Sequence, residues 1–101
     1  MQYAAYHMQD SPDIDIIDVR TPPEYQTGHI AGSRNICLDD LTQAVKAGEL
    51  TGKKPLAIIC ARGGRSAQAC VRLSKVFGFE SVTNIAGGMN AWIGAGFPVM
   101  Q

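Results

Sequence analysis

The run Leu56-Ala57-Ile58-Ile59-Cys60, with Pro55 before it and glycines soon after, does most to narrow the folds open to this chain. Five apolar residues in a row offer no polar face to water, so they suit a strand covered on both sides. Such a strand needs neighbours beside it and helices above and below, and the rest of the chain supplies both. Ile14–Val19 (IDIIDV), Arg34–Leu38 and Val82–Ile85 read as further strands. Helical patterns fall between them. Thr21 caps the first, Pro22 takes its first position, Glu24 completes a capping box, and Gly28 stops it. Asp39–Ala47 reads as a second helix closed by Gly48. Arg65–Phe77 reads as a third, with Ala67, Cys70, Val71 and Phe77 on its apolar stripe and Gly78 as its C-cap. Gly87-Gly88 turns the chain into a last helix over Met89–Ile93. Residues 1–12 predict no more than a helical turn at Tyr3–Met8, ending at Ser11-Pro12. This alternation predicts an α/β fold: a mainly parallel central sheet with helices on both faces.

At 101 residues the chain is expected to form one domain, with 1–13 poorly defined. Nine basic and nine acidic residues give zero formal charge, so nothing global calls for nucleic acid or an anionic membrane. The charge is nonetheless lopsided. Residues 51–101 hold a single acid, Glu80, against Lys53, Lys54, Arg62, Arg65, Arg72 and Lys75. The lysines read as solvated surface. Arg62 and Arg65 stand apart, because they share a short loop with a cysteine. Three cysteines without a CxxC pair make no disulfide framework. The N-terminal residues lack the basic start and apolar core of a signal peptide, and no apolar run is long enough to span a membrane. Free thiols in a reducing cytoplasm are therefore expected. His7 and His29 have no partners at metal-ligand spacing, so neither a metal nor a cofactor is expected.

In open α/β sheets ligands bind at the carboxyl ends of the strands, and Cys60 ends the most buried-looking one. The loop that follows is Cys60-Ala61-Arg62-Gly63-Gly64-Arg65-Ser66. It leads into a helix N-terminus, where backbone N–H groups are free and carry partial positive charge. No proline interrupts its donors. Gly63 and Gly64 let the backbone curl its amides inward as an anion nest, and Arg62 and Arg65 add positive charge. Such surroundings lower a thiol pKa and favour the nucleophilic thiolate. They would equally stabilise the anionic outer sulfur of a Cys–S–S⁻ persulfide. Loop length bears on the cargo. Cysteine phosphatases have Cx5R, whereas here the arginine comes one place earlier and Ser66 holds the phosphatase arginine position. The smaller cradle suits one added sulfur better than a phosphoryl group.

Beyond this loop, the order of several short pieces resembles the rhodanese (thiosulfate sulfurtransferase) family. They are Asp18-Val19-Arg20, Glu24-Tyr25, Gly28-His29-Ile30-x-Gly32-Ser33-x-Asn35-Ile36, Cys60-x-x-Gly63-x-Arg65-Ser66, Gly78-Phe79, Val82, Gly87-Gly88-Met89-x-Ala91-Trp92 and Gly96-x-Pro98. The resemblance spans about residues 14–99. It implies a five-stranded, mostly parallel sheet. It also implies a ping-pong sulfur transfer, in which Cys60 takes sulfur from a donor such as thiosulfate and passes it to cyanide or a thiol. The amides of Ala61, Arg62, Gly63, Gly64, Arg65 and Ser66 would then hold the persulfide, with Arg62 and Arg65 steering the anionic donor. A six-residue loop such as Cys60–Arg65 goes in this family with sulfur transfer. A seven-residue loop goes with phosphatase or arsenate-reductase members. A persulfide carrier or docking module of a longer protein, with a protein as sulfur donor or acceptor, is the alternative reading. Two departures stand out. Only thirteen residues precede Ile14, so the first strand is expected to be missing or degenerate, or the chain to be a piece of a longer one. Cys37 replaces the proline common after Asn-Ile.

The remaining polar residues read first as structure. Arg20 is expected to pair with Glu24 or another acid, and His29 to fix the turn after Gly28. Cys70 reads as a small core residue and Trp92 as a packing anchor. Cys37 ends a short strand near Cys60. A resolving role in a disulfide is one reading, but a half-buried thiol that never meets Cys60 is preferred.

Overall fold

The computed structural model describes residues 14–51, 55–85, 87–97 and 99–100. Among them, four strands form a parallel sheet: β1 (Asp15–Asp18), β2 (Arg34–Asn35), β3 (Leu56–Ile59) and β4 (Val82–Asn84), in the order β2-β1-β3-β4. The described sheet thus has four strands rather than five. The expected turn at Tyr3–Met8, His7, Lys53, Lys54 and Pro98 lie outside the described residues.

The apolar run does become a central strand. Leu56, Ala57, Ile58 and Ile59 are all buried, and alternate side chains enter opposite cores. Leu56 and Ile58 join Ile17, Val19, Leu41, Ala44, Ala69 and Leu73 on one face. Ala57 and Ile59 join Ile16, Ile30, Ile85, Met89 and Trp92 on the other. Each fully buried aliphatic side chain contributes about 1.5–3 kcal/mol, so this strand alone accounts for much of what holds the sheet between its helices. The first core is roofed by α2 (Leu41–Lys46) and α3 (Gly64–Val71), the second by α4 (Gly88–Gly94). Trp92 is the anchor expected of it, with Phe97 edge-on at 4.9 Å.

Two elements depart from expectation. β2 stops at Asn35, because Cys37 leads straight into a 3-10 turn, Leu38–Asp40, which starts α2. The third helix changes character: α3 ends at Val71, and a π-helical turn, Arg72–Val76, carries it on. Its buried line is Ser66, Ala69 and Leu73, while Ala67 and Val71 face outward. Of the expected stripe, Cys70 and Phe77 do pack against the core, partly buried, and Ala67 and Val71 do not.

The short helix α1 (Pro22–Gln26) forms as its capping pattern dictates, with the Thr21 N–H donating to Glu24 Oε1 at 3.0 Å. Arg20 pairs not with Glu24 but with Asp18. Its Nε and Nη2 donate to that carboxylate at 3.0 and 2.7 Å, and Nη2 also reaches the Gly28 carbonyl at 2.7 Å. Both side chains are buried, so each satisfies the other's charge. His29 fixes its turn as expected. Its Nδ1 lies 3.0 Å from the Tyr25 carbonyl, and its ring stacks on Tyr25 at 3.8 Å.

Candidate functional site

The chain leaves β1 toward β2 on one side and later returns to β3 on the other, so the direction of strand addition reverses beside β1. A crevice outside the carboxyl ends of neighbouring strands at such a reversal is where ligands bind in open α/β sheets. Cys60 is the first residue past the carboxyl end of β3, and the Val19 N–H bonds the Ile59 carbonyl at 2.9 Å just before it.

The loop then wraps back on the sulfur. Gly63 takes φ +106°, a left-handed conformation that turns its N–H inward. Cys60 Sγ accepts from the Gly63 N–H at 3.0 Å and from the Ser66 N–H at 3.3 Å. The Ser66 hydroxyl lies 3.3 Å away on a further side. These bonds form because α3 begins here and its first amides have no partner within the helix. The loop is clamped from outside by α4, whose Met89 and Asn90 amides donate to the Cys60 and Ala61 carbonyls at 2.7 and 3.0 Å. Gly88 makes this approach possible.

Opposing influences set the sulfur's acidity. Burial is the largest and pushes the thiol up. The Ser66 hydroxyl, then the Ser66, Gly63 and Arg62 amides, stabilise the thiolate and together outweigh burial, leaving the pKa below its ordinary 9.0. Cys70 is only half-buried but lacks the donors and is pushed up to about 11, by burial first and by Cys60 second. An acid with a lowered pKa holds its anionic form down to lower pH, so Cys60 should alkylate at pH values where Cys70 is still protonated. Iodoacetamide labelling across pH 6–11, read by peptide mass, should place the Cys60 midpoint below 9 and that of Cys70 near 11.

Arg62 is exposed at the mouth of a cleft of about 500 Å³ lined with Glu24, Ala61, Gly64, Arg65 and Gln68. Arg65 is differently placed. Its guanidinium makes a two-point bond to Glu24, at 2.7 and 2.9 Å, which ties α1 to α3. Hydrogen bonding to Arg65, with the Thr21 amide second, brings the Glu24 carboxyl down to about 2. The positive charge of Arg65 still acts on the sulfur at longer range. Of the six loop residues, Gly63 and Ser66 bond the sulfur and the Arg62 amide acts on its acidity, Ala61 and Gly64 line the neighbouring cleft, and Arg65 is held by Glu24, which leaves Arg62 as the exposed cation of the loop.

Asn84, at the end of β4, is a site residue that the sequence does not single out. Its Oδ1 lies 2.5 Å from the Ser66 hydroxyl and competes with the Cys60 sulfur for that single proton, and its Nδ2 reaches the Gly63 carbonyl at 3.4 Å. The only hint of it is an amide at the carboxyl end of an expected strand. Cys37 is half-buried beside a separate depression lined with Pro22, Asp40 and Gln43, whose lining shares no residue with the cleft at Arg62. All three cysteines are free thiols. Among the described residues, no group of His, Cys, Asp and Glu is arranged to hold a metal, and no helix is long and apolar enough to cross a membrane.

A parallel α/β sheet with a buried cysteine sulfur in an amide cradle at its carboxyl edge defines a class of thiol-bearing anion sites. Within that class the chain belongs to the rhodanese-like family, whose domain model matches residues 1–95. It is 30% identical over 93 residues to a sulfurtransferase of Allochromatium vinosum, covering 92% of this chain and 84% of that one. It is 39% identical over 79 residues to the uncharacterized protein YqhL of Bacillus subtilis, covering 78% of this chain but only 60% of that relative. Among solved structures, a rhodanese-related protein from Thermoplasma volcanium superposes with a TM-score of 0.84 at 34% identity, over 98% of this chain and 93% of that one.

Proposed function

We propose that this protein moves a sulfane sulfur from an anionic donor such as thiosulfate to a thiol or cyanide, through a persulfide on Cys60. The observation that carries the reading is the Cys60 sulfur itself, buried yet met by the Gly63 and Ser66 amides and the Ser66 hydroxyl. The thiolate attacks the outer sulfur of thiosulfate. A new S–S bond forms, the donor's S–S bond breaks, and sulfite leaves with the electron pair. The acceptor then attacks the outer sulfur, and Cys60 departs as thiolate. No net oxidant or reductant is required. In the intermediate the amides of residues 61–66 hold the terminal sulfur, and Arg62 draws the donor anion into the cleft.

The six-residue spacing from Cys60 to Arg65 disfavours the phosphatase or arsenate-reductase reading. Engagement of Arg65 by Glu24 adds to this, since the guanidinium is not free to clamp a phosphoryl group. A carrier within a longer polypeptide is the second reading. It is favoured by the relative of which this chain spans only 60%.

Exposure to thiosulfate, to mercaptopyruvate and to a cysteine persulfide, each followed by peptide mass spectrometry, tests the proposal. One added sulfur on the Cys60 peptide is expected from at least one donor. No gain from any of the three would overturn it. Efficient loading by the persulfide alone would favour the carrier.

A further inference from the structure

The outer face of α3 is apolar where water meets it. Ala67, Gln68, Val71, Arg72 and Val76 line a shallow surface groove of about 480 Å³, in which Val71 is 58% exposed and Val76 is 70% exposed. A surface helix ordinarily turns polar residues outward. The π turn produces this arrangement. In a regular α-helix, residues five apart diverge around the axis. The π turn closes bonds between residues five apart, as from the Phe77 N–H to the Arg72 carbonyl at 3.3 Å, and this brings such residues onto one face. Ala67 and Val71 are four apart in α3, and Val76 follows five later across the π turn, so the three form one exposed stripe.

Two further observations say what the stripe fits. Residues 60–79 contain Arg62, Arg65, Arg72 and Lys75 and no acidic residue. Arg65 is held by Glu24, but Arg62 and Lys75 are exposed. The groove also adjoins the cleft at Ala61, Arg62 and Gly64, because Gln68 lines both. An occupant of the stripe therefore lies beside the loop that follows Cys60 and meets a basic surround.

From this we infer that the Ala67–Val71–Val76 stripe docks a protein surface that is acidic and apolar and carries the thiol that exchanges sulfur with Cys60. The inference rests on the persulfide reading above. The docked thiolate attacks the outer sulfur of the Cys60 persulfide. An S–S bond forms on the partner, the Cys60–sulfur bond breaks, and Cys60 leaves as thiolate. The reverse sequence loads Cys60 from a partner persulfide. Two valines and an alanine make a small contact, which suits a transient partner that must leave after each transfer. Isologous pairing with a second copy would oppose basic surface to basic surface.

Two synthetic cysteine peptides serve as probes, one with Asp, Glu and Leu around its cysteine and one with Lys in place of the acids. The rate at which each takes sulfur from thiosulfate-loaded protein is compared with that of 2-mercaptoethanol, at low and high salt. The acidic peptide is expected to react on the order of tenfold faster than the basic one at low salt. That advantage should vanish in the V71D/V76D variant and in high salt, while thiosulfate loading and discharge by 2-mercaptoethanol stay unchanged. Equal rates for the two peptides would overturn the inference, as would an advantage that survives V71D/V76D. Association of wild type into a dimer dissolved by V71D/V76D would assign the stripe to a second copy instead, and V71D/V76D-sensitive binding to phosphatidylserine vesicles would assign it to a lipid surface. Either result overturns the inference. Failure of the wild type to load from any donor is read separately, at the first step, and removes the persulfide reading together with this one.

Discussion

Cys60→Ala should take up no sulfur from any donor, while Cys60→Ser should fail equally but melt closer to wild type. The loss is expected to be total rather than graded. Cys37 is outside the cradle, and Cys70, pushed up to about 11, is almost entirely protonated near neutrality. Cys70 thus offers no thiolate to attack a donor, and Cys37 lacks the amide contacts that Gly63 and Ser66 give Cys60. The difference between the two variants follows from what surrounds the sulfur. Alanine deletes the acceptor of the Gly63 and Ser66 amides and leaves a small hole in the core that includes Ile58, Ala69 and Leu73. A buried donor left without a partner costs about 1–3 kcal/mol. Serine restores an acceptor at nearly the same place, but its hydroxyl does not ionise near neutral pH and cannot carry sulfane sulfur. Intact mass after thiosulfate treatment checks the first half, and calorimetry checks the second. A shift of about 1 kcal/mol would move the midpoint of a domain this size by about 4–8 °C. Undiminished sulfur loading in Cys60→Ala would move the nucleophile to another thiol.

Much of this site is legible in the sequence because the signals that make it are local. A run of apolar residues marks β3, and a thiol at its end with two glycines soon after marks the cradle. The capping box at Thr21 and Glu24 spans four residues, and it forms as its pattern implies. What stays hidden is set by packing across the sheet. Glu24 and Arg65 lie 41 residues apart in sequence, and only the placement of α1 beside α3 makes them a pair. Both are visible as charged residues, but nearness along the chain points Glu24 to Arg20, whose actual partner is Asp18. Asn84 meets Ser66 because β4 adds beside β3, with Ile58 opposite Asn84. The stripe on α3 departs from expectation for a different reason. Hydrophobicity favours Val71, but the helix turns Ser66, Ala69 and Leu73 to the core and leaves Val71 exposed. The π turn, which places Val76 below Val71, has no signature that periodicity at 3.6 residues can show.

The role of Gly88 belongs to this hidden part, and it leads to the largest expected effect on stability. Gly88→Ala should destabilise the protein by several kcal/mol and reduce or abolish sulfur loading, though residue 88 does not touch the Cys60 sulfur. Gly88 sits at φ +59°, where a side chain costs about 1–2 kcal/mol by itself. A Cβ there would also collide with the Cys60 carbonyl oxygen, and would come within 2.7 Å of the Ala61 carbonyl carbon and oxygen. These are backbone atoms of the cradle, so no rotamer change relieves the contact. Either α4 retreats or the loop does. Retreat of α4 breaks the bonds from the Met89 and Asn90 amides to the Cys60 and Ala61 carbonyls and unseats Met89 and Trp92 from their core. Retreat of the loop spoils the geometry of the Gly63 and Ser66 donors around the sulfur. Gly94→Ala supplies the comparison. It lies at the far end of the same helix, at no positive φ, and a Cβ added there would meet nothing within 4 Å, so alanine should be neutral or raise stability slightly. Urea denaturation of both variants measures the contrast, and the pH at which Cys60 alkylates reports the cradle in whatever fraction of Gly88→Ala remains folded. Equal stability of the two variants would mean that α4 does not hold the loop in place.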